Sequence, residues 1–360
     1  MNRNTLPRVQ DLYNEGYLER RLISVTIELL NACNWHCRHC YLPQHNNTGL
    51  KYETVIKLLH QARELGTMEV VLTGGEVFLR DDILDIIEKA RSLYLRVYIY
   101  SNASLLTEEI VKRLSEFYIT QYSLTMFSID DEIHDYVTQQ NGSLKTLLKN
   151  IDLLKSYGIP IEIKTPVMSV NKDSIEGVNK FCKENGFVFG ATPSINAKSN
   201  GDKDPLELKL APNELQSVVL ELEKLESNSR TGVSEQATPG QNPYKIDAFS
   251  QRELCCPLLR SKLFIDCEGN AFPCTSFYYK VGNIIDESLS DIWNKSQSLH
   301  YVQTLRNSDL ESCLKCELRD FCTRCPGLAL LEDGDILGCS TAAKEMAVAR
   351  KALYESLIVH

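Results

Sequence analysis

Short apolar segments and longer amphipathic segments alternate between residues 22 and 196, and this alternation limits the folds open to the chain. The apolar segments predict β-strands, whereas apolar residues at helical spacing predict the helices between them. Strands separated by helices run parallel, and right-handed crossovers close them into a barrel or an open sheet. The sequence therefore predicts an α/β fold of six or seven β-α units. Its functional edge is expected at the C-terminal ends of the strands.

The predicted strands cover residues 22–29, 69–73, 96–101, 121–126, 161–167 and 187–195. The predicted helices cover residues 53–65, 83–90, 107–114, 144–155 and 174–185. Asp81 and Asp82 are cap candidates for the second of these helices. Beyond residue 196 the pattern breaks, and the polar segments 199–205 and 227–244 predict loops. Between them a helix is expected over 212–225 with Asn213 as its cap, and an irregular region over 255–340 precedes a final helix at about 341–357.

Composition and charge exclude several classes of partner. The 360 residues carry a formal net charge of −9 with acidic and basic residues mixed, so no basic stripe marks a nucleic-acid surface. No apolar run is long enough to span a bilayer. Met1–Gln10 lacks the apolar segment of a secretory signal. We expect a cytoplasmic protein without a nucleic-acid or membrane partner.

Thirteen cysteines are many for such a chain, and they are clustered. Three lie within residues 33–40 and nine within 255–339, while Cys182 stands alone. Disulfides rarely persist in a reducing compartment, so clustered cysteines point first to metal ligation. For Cys182, which lies on a predicted helix, we expect core packing.

The first cluster spaces Cys33, Cys37 and Cys40 as C-x3-C-x2-C directly after the first strand. Three thiolates at this spacing can hold three corners of a 4Fe–4S cube. The next cysteine lies 142 residues further on, so the fourth iron is predicted to stay open to a ligand. A structural zinc site that uses His36 or His39 is the alternative.

A second motif, Thr73-Gly74-Gly75-Glu76, ends the second strand. The glycines let the backbone approach a ligand closely, and the carboxylate of Glu76 can receive an ammonium group. A turn needs the same glycines, so this motif alone does not indicate a ligand site. It does so in combination with the three cysteines one β-α unit earlier.

Together the two motifs resemble the radical S-adenosylmethionine (SAM) superfamily over residues 22–196. The resemblance implies a partial (β/α)6 TIM-like barrel in which Cys33, Cys37 and Cys40 hold a 4Fe–4S cluster. The open iron then takes the amino and carboxylate groups of SAM, and the amino group also meets Gly74, Gly75 and Glu76. Many members carry an aromatic residue before the last cysteine, where this chain has His39, which could pack on the adenine.

Other strand ends match positions at which the family often contacts the ribose or carboxylate of SAM. Asn102 follows the third strand and Ser123 lies in the fourth. Asn102 could equally cap a turn, and Ser123 could be a small packing residue. Lys164 in the fifth strand is a weaker candidate for the SAM carboxylate.

The later cysteines resemble the SPASM domain, an extension with two auxiliary clusters, over residues 255–345. The segment 264–274 resembles the β-hairpin of that domain. The resemblance assigns the second auxiliary cluster to four cysteines: Cys313, Cys316, Cys322 and Cys339. It assigns the first to Cys256, Cys274 and Cys325, with Cys255 favoured over Cys267 as fourth ligand and an open site as a further option. The spacing before Cys325 is x2 where the family usually has x3. A zinc ribbon is the alternative, but it leaves three cysteines unexplained.

These resemblances imply a division of the chain into an N-terminal extension, the radical SAM core, a linker with one helix, the SPASM domain and a C-terminal helix. The implied boundaries are 1–21, 22–196, 197–254, 255–345 and 346–360.

Three 4Fe–4S clusters and SAM are thus the expected cofactors. Reductive cleavage of SAM would give a 5′-deoxyadenosyl radical that takes hydrogen from the substrate. SPASM enzymes mostly act on peptides, so a ribosomal-peptide maturase that forms a thioether or C–C crosslink is the main hypothesis. Sulfatase maturases have an Asp after the second SPASM cysteine, where this chain has Thr275.

The expected partners are a peptide with a leader, an external electron donor of the flavodoxin or ferredoxin type, and a separate leader-binding protein if the barrel rim does not bind the leader. Alternatives are a small-molecule enzyme acting on a haem-type precursor, a peptide epimerase, and an iron–sulfur carrier without SAM chemistry.

Overall fold

The computed structural model describes residues 9–229 and 254–358. The loop predicted over 227–244 lies outside the described residues beyond Ser229, and so do residues 230–253 of the linker and 1–8 of the N-terminal extension.

Six parallel strands form the barrel wall, as predicted. They are β1 (Ser24–Glu28), β2 (Glu69–Thr73), β3 (Arg96–Tyr100), β4 (Gln121–Thr125), β5 (Ile161–Pro166) and β6 (Val188–Thr192). Each strand pairs in parallel with the next one in the chain. Alternate side chains of β1 face outward and are fully buried against helices, as Val25 and Ile27 show. The polar residues between them face the barrel interior.

Helices lie before, between and after these strands. They are α1 (Val9–Glu19), α2 (Tyr52–Glu64), α3 (Ile83–Ser92), α4 (Glu108–Glu116), α5 (Asp131–Thr138), α6 (Ser143–Ser156), α7 (Ile175–Asn185) and α8 (Pro212–Ser229). The buried residues of α2 are Val55, Leu58, Leu59 and Ala62, which is the apolar stripe that the sequence predicts.

The sequence did not predict helix α5. Its first turn is acidic, with Asp131 and Glu132 after the cap residue Asp130. The Asp130 carboxylate accepts a hydrogen bond from the amide of Ile133 at 3.2 Å and caps the helix. Acidic side chains in a first turn are favoured because they meet the unbonded amides there.

One predicted cap lies at the cap position without bonding there, and another is wrong. Asp82 lies at the cap position of α3 without a side-chain cap bond, because its carboxylate pairs with Arg80 at 2.7 Å. Asn213 lies inside α8, which begins at Pro212. Here Glu214 reaches back to the amide of Ala211 at 2.9 Å.

The C-terminal region extends the same sheet. Its strands are β7 (Lys262–Ile265), β8 (Asn270–Phe272) and β9 (Gly282–Asn283). Strand β7 pairs in parallel with β1, and β8 pairs antiparallel with β7 as the predicted hairpin. The sheet order is therefore β6-β5-β4-β3-β2-β1-β7-β8-β9.

Short helices occupy part of the chain that was expected to be irregular over 255–340. They are α9 (Leu289–Lys295), α10 (Gln297–Thr304), α11 (Glu311–Leu314) and α12 (Pro326–Asp333), and α13 (Thr341–Ile358) follows them. Leu289, Ile292 and Trp293 of α9 belong to the same apolar core as the barrel. Within the described ranges, no helix is both long enough and apolar enough to cross a membrane.

Candidate functional site

Three thiols in the loop after β1 lie together at the C-terminal end of the strand. Burial raises the pKa of Cys37, and repulsion from the thiolates of Cys40 and Cys33 raises it further. Burial also raises the pKa of Cys40, to about 11, and that of Cys33. Such repulsion requires neighbouring thiols, and a metal that takes up the thiolates relieves it. All three thiols are free, and they fit three corners of an iron–sulfur cube.

The backbone of this cysteine loop is held from two sides. The amides of Asn31 and Ala32 donate to the carbonyl of Asn47 at 3.1 and 2.9 Å. A nitrogen of Arg80 donates to the carbonyls of Leu29 at 3.2 Å and Leu50 at 2.7 Å. Arginine suits this task because its planar group offers several fixed donors. The loop is thus positioned by its own surroundings.

The two glycines after β2 allow this loop to pass close by. Gly74 has φ +148°, and a Cβ there would lie 2.2 Å from the carbonyl oxygen of Leu30. A Cβ on Gly75 would lie 2.1 Å from the carbonyl oxygen of Ala32. Both distances are far below a van der Waals contact, so only glycine fits. The sequence suggested approach to a ligand, and the structure adds a close approach to the cysteine loop itself.

The carboxylate of Glu76 is fully buried and bonded within the chain. It accepts from the amide of Phe78 at 3.0 Å, from Ser101 Oγ at 2.8 Å and from the amide of Asn102 at 2.8 Å. Burial raises its pKa, and these hydrogen bonds oppose that rise. Glu76 therefore ties the end of β2 to the end of β3, and its contact with an ammonium group stays a prediction.

The other predicted SAM contacts line the same cavity as the cysteines, with a volume of about 320 Å³. In this cysteine cavity, Asn102 Nδ2 donates to Asn34 Oδ1 at 3.0 Å. Ser123 Oγ donates to Glu162 Oε2 at 2.5 Å. Lys164 Nζ donates to the hydroxyl of Tyr100 at 2.5 Å. The structure brings these residues together, and their roles toward SAM stay predictions.

His39 also lines the cysteine cavity. Burial lowers its pKa to about 4, so the ring is neutral near pH 7. The ring packs edge-on against Phe127 at 4.9 Å between centroids. Its Nδ1 is buried and has no partner among the described residues. Packing against adenine stays a prediction.

A second cavity of about 560 Å³ occupies the barrel interior. This barrel chamber reaches from Tyr13 of α1 to Lys262, Cys274 and Tyr278 of the C-terminal region. Four residues line both the chamber and the cysteine cavity, and they form the neck between them: Tyr41, Thr73, Tyr100 and Asn196. The two cavities therefore meet at the C-terminal edge of the sheet.

Polar groups that the sequence did not single out lie in the neck and beside it. Tyr41 donates to Glu28 Oε2 at 2.7 Å, and Glu28 is only 4% exposed. Asn196 Oδ1 and the hydroxyl of Tyr278 are buried without a partner among the described residues. The signal available in the sequence was the alternation Ser24, Thr26, Glu28 along β1, which places polar residues on the inner face.

The later cysteines fall into two groups that match the predicted sets. Burial raises the pKa of Cys274 to about 12, and Cys325 and Cys256 raise it further. Burial raises the pKa of Cys322 to about 11, with added repulsion from three cysteines: Cys313, Cys339 and Cys316. The ligand assignments themselves stay predictions.

The two candidates for a fourth ligand of the first group lie in different surroundings. Burial raises the pKa of Cys255 to about 11, and its neighbours include Cys256 and Cys313. Cys267 is 7% exposed, and its thiol bonds to Glu28. The structure thus places Cys255 beside other cysteines of the two predicted sets, and Cys267 beside Glu28, the carboxylate to which Tyr41 donates.

Within the described ranges, the thirteen cysteines form no disulfide bond. In the described part of the chain, no three His, Cys, Asp or Glu side chains converge on a point that would hold a single metal ion. Cys182 is fully buried on α7, as expected for a packing residue.

Comparison with known protein families agrees with this architecture. Residues 27–182 match the radical SAM superfamily, and residues 255–326 match the SPASM iron–sulfur cluster-binding domain. The chain is a radical SAM enzyme with a SPASM domain. The SPASM match ends before Cys339, so the prediction for that cysteine depends on its place beside Cys322.

Three similar proteins place this radical SAM enzyme among its relatives. An AdoMet-dependent heme synthase of Methanosarcina barkeri is 22% identical over 329 residues, covering 86% of this chain and 93% of the relative. The sporulation killing factor maturation protein SkfB of Bacillus subtilis is 25% identical, covering 91% and 75%. The crystal structure of Streptococcus suis SuiB bound to its precursor peptide SuiA superposes with a TM-score of 0.70 at 17% identity, covering 96% and 84%. At this identity the likeness to SuiB establishes the fold.

Proposed function

We propose that this radical SAM enzyme is a peptide maturase, which removes hydrogen from a ribosomally made peptide and leaves a thioether or C–C crosslink. The observation that carries the proposal is the neck at which the cysteine cavity meets the barrel chamber. A substrate group in the neck lies next to the predicted SAM site. Cys274 of the first auxiliary set lines the chamber beyond it.

The polar groups around the neck suit a peptide backbone. Asn196 Oδ1 is an unpaired acceptor that an amide N–H would satisfy, and the Tyr278 hydroxyl can donate to a carbonyl. Buried polar groups are normally bonded, so two unbonded groups facing one cavity indicate a ligand that bonds them. Tyr41, fixed by Glu28, forms the wall against which the chain would lie.

The proposed cofactors are SAM and three 4Fe–4S clusters. Cys33, Cys37 and Cys40 would hold the first cluster. The first auxiliary cluster would use the set that contains Cys274, with Cys255 as its fourth ligand. The second auxiliary cluster would use the set that contains Cys322. When bound, these groups supply the reductive cleavage of SAM that generates the hydrogen-abstracting radical. The protein would contribute binding and orientation, and the interior of its partial barrel would keep water and other quenchers from the radical.

The remaining partners follow from this proposal as predictions. A flavodoxin or ferredoxin would supply electrons, and the leader peptide would bind the barrel rim or a separate leader-binding protein. A cytoplasmic location belongs with these predictions. SkfB and SuiB, whose names refer to maturation of a killing factor and to a precursor peptide, support the peptide class.

A small-molecule substrate such as a haem-type precursor is the second candidate, favoured by the similarity to the heme synthase. Among the described residues that line the barrel chamber, Lys262 is the one cation and Glu69 the one carboxylate. A tetrapyrrole carries several carboxylates, and a single lysine would leave most of them unpaired in a buried site. The chamber therefore suits an uncharged peptide segment better.

The test uses anaerobically reconstituted enzyme, SAM, dithionite and the peptide encoded next to this gene. A mass loss of two hydrogens per crosslink, with 5′-deoxyadenosine formed, is expected. Cys33→Ala should form no 5′-deoxyadenosine. Asn196→Leu should still cleave SAM but form product about five- to thirtyfold more slowly, since one buried amide bond is worth about 1–2 kcal/mol.

Other products would contradict the crosslinking proposal. One solvent deuterium gained without a mass loss would indicate epimerisation. Turnover of a haem precursor but of no peptide would favour the small-molecule candidate. If the wild-type enzyme forms no 5′-deoxyadenosine, the alternative of an iron–sulfur carrier without SAM chemistry would be favoured.

A further inference from the structure

Arg324 holds one guanidinium nitrogen that is buried and bonded to nothing among the described residues. Its Nε donates to the carbonyl of Gly338 at 2.8 Å, and its Nη2 donates to the carbonyl of Ile336. Two of its nitrogens are therefore fixed to the segment that leads into Cys339. The third, Nη1, has no partner although buried donors are almost always bonded. A guanidinium nitrogen carries hydrogens to donate and cannot accept a hydrogen bond, so Nη1 needs an acceptor.

The surroundings of Arg324 are the two auxiliary cysteine sets. In sequence it stands between Cys322 of the second set and Cys325 of the first. The guanidinium of Arg324 lies close enough to the thiols of Cys255 and Cys313 to act on both electrostatically. Cys255 belongs to the proposed first auxiliary site and Cys313 to the second. The guanidinium thus acts on both sites at once.

We propose that Arg324 donates its free Nη1–H to sulfur at the boundary between the two auxiliary clusters and raises the reduction potential of both. The inference rests on the proposed function, because it requires both auxiliary clusters. Hydrogen bonds to cluster sulfurs and the local net charge set the potentials of iron–sulfur clusters. A reduced cluster carries one more negative charge, so a fixed cation beside it favours the reduced form.

A purely structural role is the competing explanation. The bonds of Arg324 to Gly338 and Ile336 would then only order the chain before Cys339. Such a role affects whether the second cluster is bound, but it leaves the potential of a bound cluster unchanged.

The experiment measures auxiliary-cluster potentials by EPR-monitored redox titration of the full-length, reconstituted protein. A Cys33→Ala, Cys37→Ala, Cys40→Ala background removes the signal of the first cluster. Iron and sulfide are counted in every sample before titration.

In this background Arg324→Gln should lower the reduction equilibrium constant of each auxiliary cluster at least tenfold, which is about 59 mV for a one-electron couple. Arg324→Lys keeps the charge without the planar fork and should give a smaller decrease. The matched control is Arg319→Gln, whose guanidinium pairs with Asp320 and is 52% exposed, and it should leave both potentials unchanged.

Unchanged potentials in Arg324→Gln protein that holds all of its auxiliary iron would overturn the inference. A decrease at only one cluster would overturn the bridging role and assign Arg324 to that cluster. Wild-type protein without auxiliary iron would overturn the proposed function as well, so the two failures are distinguishable.

A second measurement does not depend on the Arg324 variant keeping its clusters. Pulsed EPR of protein labelled with ¹⁵N-arginine should show nitrogen coupling to the reduced auxiliary clusters. Arg350 also lies near Cys322, so the labelled sample carries Arg350→Lys. Absence of nitrogen coupling to the auxiliary clusters in this labelled Arg350→Lys sample would contradict the hydrogen bond from Arg324.

Discussion

At the scale of single residues, the barrel interior is organised around buried carboxylates that the chain itself satisfies. Glu28 and Glu76 are 4% and 0% exposed, and each accepts hydrogen bonds from named neighbours. An unpaired carboxylate at such depth would be strongly unfavourable, so these bonds fix the geometry of the strand ends. Three of the residues bonded to them line the cysteine cavity: Tyr41, Ser101 and Asn102.

The placement of Cys255 and Cys267 gives a prediction for iron content. Cys255→Ser should lower the iron occupancy or alter the EPR signal of the first auxiliary cluster, because its thiol lies beside Cys256. Cys267→Ser is the matched control and should keep full iron, because its thiol bonds to Glu28. Iron and sulfide analysis with EPR measures both. Loss of the first auxiliary cluster in Cys267→Ser alone would reverse the assignment.

His134 gives a prediction for stability against pH. It is fully buried, and burial lowers its pKa from 6.5 to about 4. Below pH 6.5 the imidazole of His134 binds a proton in the unfolded chain but stays neutral in the folded protein. The free energy of unfolding therefore decreases as the pH falls below 6.5. Between pH 7.5 and 5.5 the loss should be about 1.4 kcal/mol in the free energy of unfolding.

Anaerobic urea unfolding of wild-type and His134→Gln protein at both pH values isolates this contribution, because other titrating groups cancel in the difference. The variant should lose about 1.4 kcal/mol less than the wild type on acidification. His300→Gln on the exposed surface of α10 is the control and should retain the wild-type slope. Equal pH slopes in wild type and His134→Gln would contradict a neutral His134.

At the scale of elements, the site arises where loops after successive strands pack against each other. The amide of Gly75 donates to the carbonyl of Leu30 at 3.0 Å, and the amide of Glu76 donates to that of Ala32 at 2.9 Å. The loop after β2 is therefore bonded to the loop that carries the first three cysteines. Any shift in one loop moves the other.

Gly75→Ala tests this coupling. The added methyl group would overlap the Ala32 carbonyl, and overpacking of this kind costs about 1–3 kcal/mol. Displacement of the cysteine loop should lower the iron occupancy of the first cluster and weaken SAM binding in equilibrium dialysis. Gly190→Ala on β6 is the control, because its nearest neighbour would lie at 4.0 Å. Normal iron content and SAM affinity in Gly75→Ala would show that the loops adjust independently.

At the scale of the whole molecule, the C-terminal region is part of the barrel sheet. Strand β7 covers the edge of β1 that faces away from β2, and residues of α9 join the main core. Arg260 donates to the carbonyls of Tyr17 and Leu18, which fastens α1 to the C-terminal region. The first cysteine site therefore depends on residues more than 200 positions away.

A fragment of residues 1–253 should consequently fail to form a stable monomer. Removal of β7 exposes an unpaired edge of β1 together with buried apolar side chains, each of which contributes about 1.5–3 kcal/mol when buried. Size-exclusion chromatography should show aggregation, and hydrogen exchange should show unprotected amides in β1, relative to the full chain. A monomeric fragment with protected β1 amides would mean that the barrel folds without this support.

The local sequence determined the elements whose signals are complete within a few residues. Strand β2 has the predicted bounds, 69–73, and Gly186 ends α7 with φ +73°, because β-branched runs and C-cap glycines act locally. Helix α5 was missed because its eight residues give too short a period to recognise. The grouping of the cysteines also followed from spacing and family resemblance.

Tertiary structure alone decided which distant side chains meet. Three features bring together segments that are far apart in the chain. They are the parallel pairing of β7 with β1, the neck between the two cavities, and the position of Arg324 between two cysteine sets. Spacing in sequence carries no information about such contacts, since they depend on how the sheet closes and which groups burial leaves unbonded. Local motifs thus supply the residues of the site, whereas the packing of the whole chain decides where the cysteine cavity and the barrel chamber meet.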